Sequence, residues 1–255
     1  MQQTGTRALS AGELLDVNRV YYDSLWSGAH LVEPARFNTW PLVQTLLPRD
    51  GRCLEVAPGL RPRLPLEGTQ FVDVSSPALA KLASRGASVV GALITSLPFA
   101  DASFDLVCAL DIVEHVDDDT AALAELSRVA RPGAALLLSV PLHPELWNAF
   151  DDFVGHRRRY RPELLSGILD RHGLKIERSA AYGMQPRSSR LLDLGMWYLT
   201  NQRERALWWY NRVFMPMGLR FQKKLQLGAG LIAARDADEI LMVCRKTAGA
   251  SVSGY

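Results

Sequence analysis

The chain has 255 residues, 48% hydrophobic and 22% charged, which excludes a disordered, collagen-like or low-complexity protein. Its length suits one large α/β domain or a domain with an insertion. The net charge of +2 hides a division: residues 1–150 carry 11 Lys+Arg against 17 Asp+Glu, residues 151–230 carry 15 against 7, and residues 231–255 carry 3 of each.

Met1-Gln2-Gln3-Thr4-Gly5-Thr6-Arg7 lacks the apolar core of a signal peptide, and no apolar stretch approaches the ~20 residues that span a bilayer. A cytoplasmic location is expected. Residues 1–48 are expected to form an N-terminal helical cap, reading as helix over 11–48, with Tyr21, Tyr22, Trp26 and Trp40 among polar residues. Arg52-Cys53-Leu54-Glu55-Val56 reads as a strand entering a turn at Pro58-Gly59. Gln70–Val74 is a second strand, and Ser76-Pro77 opens a helix that ends at Gly86. Ser88–Gly91 and Phe104–Leu110 are the third and fourth strands. Asp117-Asp118-Asp119 then places negative charge at the start of a helix reaching about Ala130. Ala134–Val140 is a fifth strand, Arg161-Pro162-Glu163 opens a helix stopped at Gly173, Leu174-Lys175-Ile176 begins a sixth strand, and Glu239–Cys244 is a seventh. Continuous apolar strands alternating with helices imply a parallel sheet covered on both faces. The core is expected over 49–183 and 231–247, with an insertion at 184–230 and a flexible tail at 248–255. Cys53, Cys108 and Cys244 sit in apolar runs without C-x-x-C spacing, so reduced, buried thiols are expected rather than a disulfide or zinc site.

Ligands of open parallel sheets bind beyond the carboxyl ends of the strands. There the first turn is Glu55-Val56-Ala57-Pro58-Gly59, and Asp73 follows Glu55 by 18 positions, where an acid accepts bonds from ribose hydroxyls. The alternative is a plain turn and a helix-capping acid. The full G-x-G-x-x-G fingerprint is absent, so no pyrophosphate cradle is read.

Five segments carry a family resemblance: Leu54–Gly59; Phe71–Ser75; Leu97-Pro98-Phe99 with Asp101, Ser103, Phe104 and Asp105; Leu110-Asp111-Ile112-Val113-Glu114-His115-Val116; and Val154–Tyr160. In order and spacing they resemble class I S-adenosylmethionine-dependent methyltransferases. The resemblance implies an α/β, Rossmann-like, seven-stranded, mostly parallel sheet with an antiparallel last strand, plus a helical lid insertion, and S-adenosyl-L-methionine as cofactor. It implies that Glu55 orients the turn and helps hold the methionine amine, that Ala57 and Gly59 let the backbone approach the methionine, and that Asp73 binds the ribose. Val74 would pack on adenine, Ile94 and Thr95 would lie at its edge, Leu110 would offer its carbonyl, and Tyr22 and Trp26 would close over the cofactor. The chain departs from the family's D-x-G-x-G turn at Glu55 and Ala57, and Leu93 stands where an acid often precedes the adenine edge.

An oxygen nucleophile needs a base near neutral pKa, and histidine is the usual candidate. His143 after the fifth strand is the first candidate and His156 the second; each also reads as a hydrogen-bonded structural histidine, the favoured reading for His115. No H-x-x-x-H spacing appears, so no metal is expected. Residues 184–230 interleave Trp197, Tyr198, Trp208, Trp209, Tyr210, Phe214 and Phe221 with arginines and lysines. They read as a lid that lines a pocket for a small-molecule acceptor, with an interfacial membrane segment second and nucleic-acid binding third. The expected activity is methylation of a small organic, natural-product or lipid-like acceptor; the alternative is a methyltransferase-fold protein that binds a ligand or partner without methylating.

Overall fold

The computed structural model describes residues 23, 26, 29–183, 195, 197–198, 201–233 and 237–248. Its sheet has eight strands: β1 (Cys53–Val56), β2 (Thr69–Asp73), β3 (Ser88–Gly91), β4 (Phe104–Leu110), β5 (Ala130–Pro141), β6 (Leu174–Tyr182), β7 (Gly228–Ala229) and β8 (Glu239–Lys246). Their order is β3-β2-β1-β4-β5-β8-β6-β7. The first five pair in parallel, and β8 lies antiparallel between β5 and β6. The expected mostly parallel sheet with an antiparallel last strand is present. The count rises from seven to eight because two residues of the insertion, Gly228 and Ala229, add to the edge of β6.

Side chains alternate across the sheet, as the period of two dictates. Leu54, Val56, Val107 and Ala109 face one core, with residues of α3 (Asp119–Val129) and α5 (Pro162–Arg171). Cys53, Leu106 and Cys108 face the other, with Leu42 and Val43 of α1 (Trp40–Leu46). Both faces are covered, which is why β1 is buried throughout and the centre of β4 reads as an unbroken apolar run. The three thiols are free and buried, and burial drives each pKa up, that of Cys53 to about 11 and that of Cys244 to about 12.

Helix ends follow local chemistry. Gly86 and Gly173 take positive φ where expected, and Asp118 caps α3 by accepting from Ala121 N–H at 2.8 Å. The cap of α2 (Ser76–Ala83) is Ser75, one residue before the expected position, with Pro77 in the first turn. The continuous helix expected over 11–48 does not form through residues 29–39. Pro34 opens a short 3-10 turn there, and α1 starts afresh just before Pro41. The segment expected as a lid carries α6 (Arg203–Trp209) and α7 (Met215–Arg220), joined by a π turn at Tyr210–Phe214. The expected flexible tail lies, but for residue 248, outside the described residues.

Candidate active site at the carboxyl edge

Strand order reverses at β1, with β2 on one side and β4 on the other, so a crevice opens beyond their carboxyl ends. The turn leaving β1 has positive φ at Ala57 (56°) and Gly59 (53°). Gly59 N–H donates to Asp73 Oδ2 at 2.9 Å, and Ser75 N–H donates to Oδ1 at 2.8 Å. The Asp73 carboxylate is buried, and burial raises its pKa against those amide donors. Glu55, also buried, accepts from the amides of Arg63 and Leu64, both at 2.8 Å, and so pins the proline-rich loop that follows the turn. Burial pushes its carboxyl up to about 7.

Two elements cover this turn. A Cβ added at Gly59 would meet the Trp26 ring at 2.1 Å, so the indole occupies the space that glycine leaves. Asp23, three residues earlier, accepts from Ser75 Oγ at 2.6 Å. From the lid, Leu207 is buried in the cluster holding Trp26, Leu60 and Ala78. The Arg61 guanidinium stacks on the rings of Trp26 and Tyr210 at 5.1 and 5.0 Å and donates to Tyr210 Oη at 3.0 Å. Trp26 and the segment holding Leu207 and Tyr210 therefore meet over the first turn. Of the other expected cofactor contacts, Val74 is exposed, Ile94 is buried, and Thr95 and Leu110 are partly buried. Tyr22 lies outside the described residues.

The next constellation lies past β4. Asp111 holds φ 52° and is bonded to Ser139, whose hydroxyl donates to Asp111 Oδ1 at 2.5 Å. Glu239, at the start of β8, is hydrogen-bonded to Asp111, and burial together with that carboxylate raises its pKa well above the usual range. Glu114 sits in a short 3-10 turn, 1% exposed, its pKa likewise driven up, first by burial and then by Asp111. Facing it, His156 Nδ1 pairs with Asp151 Oδ1 at 2.7 Å, and its Nε2 stands 3.9 Å from Glu114 Oε1. Burial pushes His115 down to about 3. Sequence spacing alone did not mark Glu114, Asp151 or Glu239, because they meet only when β4, the 148–160 loop and β8 are side by side. His143 follows β5 at φ 61°, with Nδ1 3.5 Å from Glu145.

Residues 66–138 match the family model of the methyltransferase domain. With the 3-2-1-4-5 strand order and antiparallel β8 already described, the assignment of the fold follows. This is the class I methyltransferase fold. An S-adenosylmethionine-dependent methyltransferase of Thermotoga maritima superposes with a TM-score of 0.55 at 18% identity, over 92% of this chain and 94% of that one. A Haemonchus contortus phosphoethanolamine N-methyltransferase, solved with S-adenosylhomocysteine, gives 0.56 at 17% identity, over 94% and 61%. The malonyl-[acyl-carrier protein] O-methyltransferase of Pseudescherichia vulneris is 36% identical over 100 residues, covering 36% of this chain and 39% of that protein. The chain thus spans well under half the length of the curated relatives it matches.

Proposed function

We propose that this methyltransferase-fold chain transfers a methyl group from S-adenosylmethionine to a small organic acceptor. The Asp73–Gly59 bond carries the reading: it sets a buried carboxylate against the first turn at the switch point. The donor set fits such a cofactor. The Asp73 carboxylate accepts backbone N–H donors, Gly59 at one oxygen and Ser75 at the other, and its remaining lone pairs would take ribose hydroxyls. Ala57 and Gly59 curl the backbone with little side chain, and exposed Val74 offers an apolar face to a base. When bound, S-adenosylmethionine supplies a methyl on an already activated sulfur leaving group. The chain's task is alignment of acceptor and methyl, which is able to lower a barrier by ~7–11 kcal/mol.

Calorimetry with S-adenosylmethionine and S-adenosylhomocysteine tests this. Both should bind the wild-type chain, and Asp73→Ala should weaken each roughly 100-fold, about 2.8 kcal/mol. Failure of both to bind wild type would remove the reading. Ala57 and Leu93, the departures from the family pattern, favour a second reading, binding without transfer. Tight binding with no S-adenosylhomocysteine formed across an acceptor panel would support it.

His143, which follows the carboxyl end of β5, is the proposed base. His143→Ala should lower kcat by roughly 10²–10⁴-fold while leaving cofactor affinity unchanged. Unchanged kcat at saturating acceptor would exclude it.

The lid supports an acceptor held near an anionic surface. Phe214, Met217 and Phe221, at helical spacing, are all exposed, and exposed Arg220, Lys223 and Lys224 flank them. No helix among the described residues is long and apolar enough to cross a membrane, so contact would be peripheral. The chain should sediment with vesicles containing phosphatidylserine and not with neutral vesicles, and Phe214→Ser with Phe221→Ser should abolish this. Equal sedimentation with both vesicle types, or with neither, would count against it.

A further inference from the structure

Three potential ligands converge where the sequence shows no metal spacing. Among the described residues, one donor atom each from Glu114, His115 and His156 lie within 4.8 Å of one another. Glu114 and His115 share the turn after β4, while His156 arrives from a loop 41 positions later, which is why spacing did not reveal the group. We infer that Glu114, His115 and His156 form a binding site for one first-row divalent cation. Two ligands bound to one ion at 2.0–2.2 Å stand roughly 3–4 Å apart. His156 Nε2 and Glu114 Oε1, at 3.9 Å, are too far for a hydrogen bond and suitably spaced for a shared ion.

Two further observations point to a ligand. Glu114 is 1% exposed and its Oε2 has no hydrogen-bond partner, a buried polar atom that an ion would satisfy. His156 is held from behind, since its Nδ1 pairs with Asp151, itself clamped by Arg159 through contacts of 2.9 and 3.0 Å and by Asn148 N–H at 2.9 Å. A carboxylate behind an imidazole is the arrangement that aims a histidine at a metal. The His115 ring stands edge-on to that of His156, with centroids 4.7 Å apart. Two imidazoles and one carboxylate suit Zn²⁺, Co²⁺, Fe²⁺ or Mn²⁺ better than Ca²⁺ or Mg²⁺. Any coordination of an acceptor oxygen by that ion rests on the methyltransferase reading; the metal site does not.

The test uses the full chain, free of any affinity tag and stripped with chelator, in the absence of S-adenosylmethionine. Titration with CoCl₂ should give one equivalent, a visible absorption band and a raised unfolding midpoint, and ZnCl₂ should displace the cobalt. Glu114→Gln, which keeps the side-chain shape, and His156→Asn should each weaken binding at least 10-fold, whereas His172→Gln should not. Metal-free melts of both variants establish that they fold. Sub-stoichiometric binding to wild type, or equal affinity in wild type, Glu114→Gln and His156→Asn, would overturn the site. Cofactor calorimetry on the stripped chain reads out separately, so failure of one proposal is distinguishable from failure of the other.

Discussion

Replacing Asp151 with alanine should destabilise the chain by about 3–5 kcal/mol, the expected cost of removing one partner from a buried ion pair. The side chains of Asp151 and Arg159 are both fully buried, and they meet through two contacts. Burial alone would raise the Asp151 pKa, but hydrogen bonds from His156, Arg159 and the Asn148 amide outweigh it and hold the carboxyl below its usual range. That carboxylate therefore ties together the start of α4 (Ala149–Val154), His156 and, through Arg159 and Asp238, the approach to β8. The unfolding midpoint should fall by roughly 10 °C for a chain of this size. Asp152→Ala, one residue away and exposed, should shift stability by less than about 0.5 kcal/mol. Asp151→Leu combined with Arg159→Met removes both charges and should recover most of the loss. A single Asp151→Ala variant as stable as wild type would refute the clamp.

The sheet was legible because its signal is local. β1, β3 and β4 emerge within a residue or two of expectation, since short β-prone segments bounded by turn residues leave few alternatives. β7 was not legible: Gly228-Ala229 has no strand character of its own and pairs only because β6 presents an open edge. Residues 29–39 misled for a different reason. The helical reading of 11–48 rested on aromatics set among polar residues on either side of this stretch, but Pro34 and Pro41 each remove an N–H donor and restart the backbone. The site divides in the same way. Asp73 and Gly59 were visible from strand-end positions, and they do meet. Glu55 was visible as an acid, yet its observed partners are the amides of Arg63 and Leu64, which a spacing rule cannot foresee. Glu114, Asp151 and Glu239 belong to three separate stretches, and only the β4-β5-β8 adjacency brings their neighbourhoods together. The acidic first part of the chain reads differently as a result. Glu55, Asp73 and Glu114 are buried carboxyl groups at the carboxyl edge rather than a solvated surface.

The cover over the first turn leads to the second large effect. Gly59→Ala should cost about 2–5 kcal/mol from two sources. Alanine at φ 53° carries roughly 1–2 kcal/mol of left-handed strain. Its Cβ would also stand 2.1 Å from the Trp26 ring, and overpacking adds about 1–3 kcal/mol. Trp26→Ala alone should also destabilise, by about 3 kcal/mol, through the void it leaves beside Leu60, Ala78 and Leu207. In the double variant the clash is gone and only the backbone strain and the void remain. The two costs should therefore fall short of their sum by at least about 1 kcal/mol in denaturant titrations. The indole also supports one side of Arg61, whose other side stacks on Tyr210 of the lid. Expelling it should raise amide exchange across residues 203–220 without altering exchange in β4 or β5, whose bonds lie in the sheet. Strict additivity of the two substitutions, with lid exchange unchanged, would show that Trp26 does not couple the first turn to the lid.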